Sequence, residues 1–324
     1  MAERRRRGRW LVLLALLGTG MGCRNDAERS VVLAAQGVYA GALSTDGELA
    51  VIGSMNHGAS LWRVRSHERL YSWNHASDTF STLVATAFSP DGKRAATSDP
   101  RTLVIWDTQT GKDLAFWGLP AAALDLALAN DGRRVLLGLE DHSAILFDAA
   151  SGAHLQTLLH EGAVGAVAMT VDGTVAATGS DDENVRLWDL ATGALRLRLQ
   201  LDNPVRALAL SDDGALLFAA SQGRRVGIWR TADGVLLKEL YARNPGITSA
   251  RFSADGERLL IGAVNGETDL YGMDAREKLA QWSLQSTGSL TGSGKAILNL
   301  AFQTTDGQFL ALTSDGTLHT LSAR

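Results

Sequence analysis

Hydrophobic and polar or small residues alternate along most of this chain in short runs, as in Val205-Arg206-Ala207-Leu208-Ala209-Leu210 and Leu83-Val84-Ala85-Thr86-Ala87-Phe88. A period of two predicts strands whose two faces meet different surroundings. Asp-Gly pairs follow seven such runs, at Asp46, Asp91, Asp131, Asp172, Asp213, Asp255 and Asp306, spaced by 45, 40, 41, 41, 42 and 51 residues. The aspartate caps a turn with its side chain and the glycine accepts a positive φ, so each pair joins two antiparallel strands. A third run ends on a bulky residue 15 or 16 positions beyond the aspartate, at Trp62, Trp106, Phe147, Trp188, Trp229 and Tyr271. A turn such as Thr110-Gly111 or Ser151-Gly152 then leads into a fourth run. Four strands per unit of about 40 residues, repeated seven times, predict an all-β fold: a seven-bladed β-propeller of four-stranded antiparallel blades.

Within the units, Trp106-Asp107, Trp188-Asp189 and Ser89-Pro90-Asp91-Gly92 resemble the signature residues of the WD-repeat family. The fourth unit is the fullest match, with Gly179-Ser180-Asp181-Asp182 followed by Val185-Arg186-Leu187-Trp188-Asp189. There the resemblance implies that His160, Asp182, Trp188 and either Thr178 or Ser180 form the family's buried hydrogen-bond tetrad, which satisfies polar groups that are costly to bury alone. Other units depart from the pattern. Phe147, Tyr271 and His319 stand for the tryptophan, Pro100 and Gly223 for the aspartate, and most units lack the histidine. Those blades are expected to rest on apolar packing. Trp73, Trp117 and Trp282 fall in the apolar slot of the fourth strand and are expected to pack between blades.

The ring also needs closing. In the regular units the fourth strand's key apolar residue precedes the next turn aspartate by 14 positions, as at Trp117, Leu158 and Leu199. The same count back from Asp46 reaches Val32, whereas the last unit stops after its third strand. A strand at 31–35 is therefore expected to complete blade seven and to remove two open sheet edges. The long spacing of 51 comes from a segment between Trp282 and Ile297 rich in Gly, Ser and Thr, which reads as a mobile loop.

The first 22 residues follow signal-peptide grammar: an arginine cluster at 4–9, an apolar run at 10–17, then small residues. Cys23, the single cysteine, comes next, and Gly20-Met21-Gly22-Cys23 resembles a bacterial lipobox with glycine where leucine is usual. The resemblance implies cleavage after residue 22, acylation of Cys23, a tether at 23–29 and a propeller at 30–324. Arg24 is not the aspartate associated with inner-membrane retention, so the implied seat is the outer membrane, facing the periplasm. An ordinary cleaved signal and an uncleaved anchor, with Cys23 incidental, are the alternatives. No later segment reaches 18 apolar residues.

Composition changes this picture at a few points. Hydrophobic residues at 45% against 20% charged supply a packed core. A single cysteine rules out an internal disulfide framework and a multi-cysteine zinc site. The net charge of -4 includes the arginine cluster, so the body of the chain is more acidic still and no nucleic-acid partner is expected. No His-Glu-x-x-His spacing and no Gly-x-Ser-x-Gly elbow occurs, and Gly292-Ser293-Gly294-Lys295 lacks the first glycine and the final hydroxyl residue of a phosphate-binding loop. No catalytic, cofactor or metal residue is assigned. His160 goes to the tetrad, and the remaining histidines to surface or turn positions.

What a propeller offers is surface. By resemblance to the family, the loops before the first strands and the turns between the second and third gather on one face and dock partners. Here they present Asn56, His57, Arg101, Asp141, Glu183, Arg224, Asn265 and Asp315. Each of these, taken singly, also reads as a solvated turn residue. The expectation is a membrane-tethered scaffold making protein–protein contacts in the bacterial envelope, with no catalysis of its own. The alternative is a propeller enzyme or small-ligand sensor using the channel mouth.

Overall fold

The Asp-Gly turns are held internally before any blade packs on another. The hydroxyl of Ser44, Ser89, Thr170, Ser211 or Ser253 donates to the carboxylate two residues on, at 2.6 Å from Ser89 to Asp91. The same hydroxyl accepts the amide five residues on, at 3.0 Å from Arg94 to Ser89. The glycine of the turn sits at positive φ, 70° at Gly92 and 66° at Gly173. Each of these five turns thus satisfies polar groups of its own hairpin.

The computed structural model describes residues 25–34, 37–54, 58–75, 81–129, 131–223, 225–241, 246–274, 278–284, 295–303 and 307–323. The expected signal at 1–22, Cys23 and the Gly/Ser/Thr-rich segment at 285–294 lie outside the described residues. Among the described residues, 28 strands form seven four-stranded antiparallel sheets. In six of them the strands follow one another in chain order, blade one starting at Val38–Leu43 and blade six ending at Lys278–Ser283. The seventh runs Ile297–Phe302, Gln308–Thr313, Thr317–Ser322 and then Arg29–Val32, so a strand from the N-terminal part closes the ring.

Two details of that closure correct the sequence reading. The closing strand is Arg29–Val32, not 31–35, and Ala35 lies outside the described residues. Val31, opposite Leu318, holds the slot occupied elsewhere by Trp73, Leu158 and Trp282, while Val32 is 62% exposed. The connection into blade one is one residue longer than in the regular units, as it also is between Leu240 and Asp255. In the third strand of blade seven, Leu321 opposite Phe309 takes the tryptophan place, and His319 lies two residues earlier. His319 and His75 are buried rather than at the surface.

The cores lie between blades. Trp73 of blade one stacks on Trp106 of blade two at 4.9 Å, and Val51, Leu61 and Leu83 complete that cluster. The ring tapers because second strands carry small residues where the next blade's first strand abuts. A Cβ at Gly179 would stand 2.4 Å from Val205, and one at Gly262 2.5 Å from Ile297. Blade seven inverts the sizes. Leu312 fills its second strand, and Gly41 of blade one makes the room, since a Cβ there would stand 2.5 Å from Leu312. Total volume is kept, as close packing requires.

Turns between third and fourth strands pack on the outer strand of the preceding blade. Trp73 donates its indole N–H to Gly111 O at 2.9 Å, and Trp117 donates to Ala149 O at 3.0 Å. Blade seven has no such turn, because its third and fourth strands are not consecutive in the chain. Residues 25–28 lie in its place. The Asn25 amide donates to Gln281 O at 2.9 Å, Asn25 pairs in parallel with Trp282, and Ala27 packs on the cluster of Trp282 and Phe309. The indole N–H of Trp282 remains buried without a hydrogen-bond partner. Among the described residues no helix is long and apolar enough to cross a membrane.

Candidate docking face

Blade four holds its turn with a chain of hydrogen bonds. Trp188 Nε1–H donates to Thr178 Oγ1 at 2.8 Å, and Thr178 Oγ1 lies 2.7 Å from His160 Nε2. His160 Nδ1 lies 3.1 Å from Asp182 Oδ2. An ionised Asp182 only accepts, so the ring proton belongs on Nδ1, and Nε2 accepts from the threonine. Ser180 is not the tetrad hydroxyl; it donates to Gly162 O at 2.8 Å and accepts the Asp182 amide. Burial lowers His160 to about 4 against the pull of Asp182. Burial also pushes Asp182 upward, but the amides of Glu161 and Asn184 and the His160 ring outweigh it, leaving the carboxyl at about 2.

Blade two repeats the arrangement, which the sequence reading missed. Trp106 Nε1–H donates to Thr97 Oγ1 at 2.8 Å, His75 Nε2 lies 2.8 Å from the same oxygen, and His75 Nδ1 lies 2.6 Å from Thr102 Oγ1 with Asp99 behind at 3.4 Å. The turn is one residue shorter than in blade four, so Asp99 rather than Pro100 supplies the carboxylate. His75 follows Trp73 by two residues, just as His160 follows Leu158, and that offset was the available signal.

The five described members of the expected face all lie in turns between second and third strands, which the ring brings to one rim. Asn56, His57 and Arg224 lie outside the described residues. Arg101 and Asp141 are exposed. Asp141 accepts the Ser143 hydroxyl at 2.6 Å, and Asn265 caps the Glu267 amide at 3.1 Å. Asp315 is turned into its own blade, accepting from Thr313 Oγ1 at 2.6 Å and pairing with Lys295. Glu183 holds a φ of 65° and His142, in blade three, 72°; Gly266 and Gly316 occupy the same place in blades six and seven.

Six of the seven innermost strands slip register near their start, at Tyr39, Leu124, Gly165, Arg206, Thr248 and Leu298. Val84 takes that place in blade two, just before its first strand. These bulge residues rim the channel mouth on the same face. Below them lies a cavity of about 260 Å³, lined among others by Thr86, Asp125, Asn299 and Arg251. Asp125 accepts the amides of Leu126 at 2.9 Å and, across the blade junction, Val167 at 2.8 Å; burial still pushes it up to about 6. Asn299 accepts the Leu43 amide at 3.1 Å, and Arg251 donates to Thr45 at 2.9 Å. Asp125 and Asn299 staple neighbouring blades, while Arg251 of blade six reaches past blade seven to blade one. Among the described residues no three His, Cys, Asp or Glu side chains are grouped to hold a metal ion.

The family model described as outer membrane protein assembly factor BamB matches residues 45–211, just over half of the chain. The WD domain, G-beta repeat, matches residues 197–230. No curated protein matches the chain.

Proposed function

We propose that this chain, which belongs to the family described as outer membrane protein assembly factor BamB, is a docking scaffold of the bacterial envelope that assists outer-membrane protein assembly. The reading includes a lipid on Cys23 that holds the propeller at the outer membrane, facing the periplasm, and no catalysis by the chain itself. The observation that carries it is the rim of turns. The turns of blades two, three and four present exposed polar residues on one face, among them Arg101, Glu140, Asp141 and Asp181, and buried hydrogen bonds to Thr97 and Thr178 pin the turns of blades two and four. Propeller membership alone does not decide function, so the support comes from this face and from the family matched.

The test is cross-linking in intact cells followed by pull-down from solubilised membranes. Wild type is compared with Cys23→Ala and with a triple alanine variant at Arg101, Glu183 and Arg224. The expected result is one dominant envelope partner, lost in the triple variant, and a Cys23→Ala protein that no longer fractionates with membranes. Capture undiminished in the triple variant would remove this face from the reading. Unchanged membrane fractionation of Cys23→Ala would remove the lipid.

A further inference from the structure

Six bulge residues, and Val84 in the matching place of blade two, follow one another around the channel mouth, and four consecutive positions are apolar: Leu298 of blade seven, Tyr39 of blade one, Val84 of blade two and Leu124 of blade three. Tyr39 is 57% and Leu124 40% exposed, while Val84 and Leu298 are partly buried against the cores between blades. A bulge takes a residue out of the regular ladder and re-aims its side chain, so this arc is built by the backbone at the same point in every blade. An exposed apolar patch bordered by polar residues marks an interaction site. The next bulge residue, in blade four, is Gly165, beside which lies the Arg206 guanidinium, 3.7 Å from where a Cβ would stand.

The turns of blades three and four are acidic. Glu140, Asp141, Glu161 and Glu183 make no ion pair among the described residues, whereas Asp181 is paired with Arg206 of blade five at 2.7 Å. Blades three and four also place His142 and Glu183 at positive φ where blades six and seven have glycine. The apolar arc and the acidic turns are adjacent, since the Glu140 amide donates to Ala122 O, two residues before Leu124.

We propose that the channel mouth binds an extended segment of a partner protein in which an aromatic or aliphatic side chain is followed by lysine or arginine. The apolar side chain packs on the arc where Tyr39 and Leu124 are exposed, and the cations that follow meet the acidic turns of blades three and four. Charge complementarity selects this occupant over an acidic segment and speeds its encounter. The proposal rests on the scaffold reading and names the chemistry of the partner.

The test uses the full chain in detergent and three short fluorescein-labelled peptides read by anisotropy. One carries Phe and Leu followed by lysines, the second replaces Phe and Leu by serine, and the third replaces the lysines by glutamate. The expected result is that the first binds at least about tenfold more tightly than either other peptide and weakens with salt. Tyr39→Ser with Leu124→Ser should reduce its affinity by a similar factor. Glu140→Gln with Glu183→Gln should reduce both affinity and salt dependence, with unchanged thermal melts showing that the ring is intact. Equal binding of the three peptides, no binding, or indifference to both variants would overturn the proposal. If cells still yield a partner lost in the Arg101, Glu183 and Arg224 variant, such a failure would leave the scaffold reading standing.

Discussion

Blade four and blade seven share one strand order but are held together by different means. In blade four the polar core is a chain of contacts from Trp188 through Thr178 and His160 to Asp182, and no link spans more than 22 residues. Blade seven borrows its outer strand from the far end of the chain. Ser30 Oγ meets His319 Nδ1 at 2.7 Å across 289 residues, and Thr313 Oγ1 lies 3.4 Å from the other ring nitrogen. The entropy of closing such a loop grows only with the logarithm of its length, so distance along the chain is a weak obstacle. What differs is the consequence of loss. A broken contact in blade four remains inside a continuous hairpin, whereas loss of the borrowed strand opens two sheet edges and the whole ring.

The largest expected effect follows directly. Deleting residues 29–33 removes the partner of Thr317–Ser322 together with buried Leu33. The protein should aggregate and lose its single cooperative transition, as read by light scattering and urea melts. A soluble, cooperatively folding deletion would mean that the seam is not what holds the ring.

Within intact rings the order reverses, and blade four should be the more sensitive. Thr178→Val strands the buried indole N–H of Trp188 and the His160 ring, at a cost of about 3 kcal/mol. Thr97→Val in blade two should cost about as much, because Trp106 and His75 share that hydroxyl in the same way. Ser30→Ala removes one half-exposed contact and should cost about 1 kcal/mol. Urea unfolding of the three variants checks the ranking, which fails if Ser30→Ala equals Thr178→Val.

Acid should attack both blades alike. Burial lowers His160 and His319 to about 4, and the charge of Lys295 adds to the effect on His319. These folded values lie below the ordinary 6.5, so the unfolded chain takes up protons first as the pH falls. The stability held by the neutral rings is whole above pH 6.5 and is lost progressively toward pH 4, up to about 3 kcal/mol for each. Asp182, lowered to about 2, keeps its contribution until the pH falls below the ordinary carboxylate range, so it does not share in that loss. Melting temperatures between pH 7.5 and 4.5 should therefore fall less steeply in His160→Gln and in His319→Gln than in wild type. Parallel slopes would show that neither ring titrates with unfolding.

The same contrast explains what could be read without coordinates. The regular spacing of Asp-Gly turns and bulky third-strand residues reports the hairpin period, so seven blades and the closing strand were legible. The tetrad of blade four was legible because its turn has the regular length. Blade two hid its equivalent behind two length changes, one fewer residue before Thr102 and four more between Trp73 and Asp91. Counting back from the aspartate misses His75, whereas counting forward from the outer-strand slot finds it. Leu321 and Val31 were displaced in the reading for the same reason, since fixed offsets fail where a connection gains or loses one residue. The channel rim was not legible at all. A bulge shifts the alternation by one position, and Val205-Arg206-Ala207 looks the same with or without it.

The smallest expected effect probes the seam most directly. Trp73 and Trp282 hold the same slot and are both almost fully buried, at 2% and 0% exposure. Trp73 has a turn of the following blade to donate to, while the borrowed strand of blade seven leaves Trp282 with none. Replacing either by phenylalanine removes similar ring volume, so the cavity cost should be alike in the two variants. The polar part differs. Trp73→Phe also strips Gly111 O of its donor and should lose about 1 kcal/mol more, whereas Trp282→Phe removes a buried, unpaired N–H and should recover part of its cavity cost. The difference between the two variants in urea, rather than either value alone, isolates the missing turn. A difference of zero would mean that residues 25–28 replace the turn in its hydrogen bonding as well as in its packing.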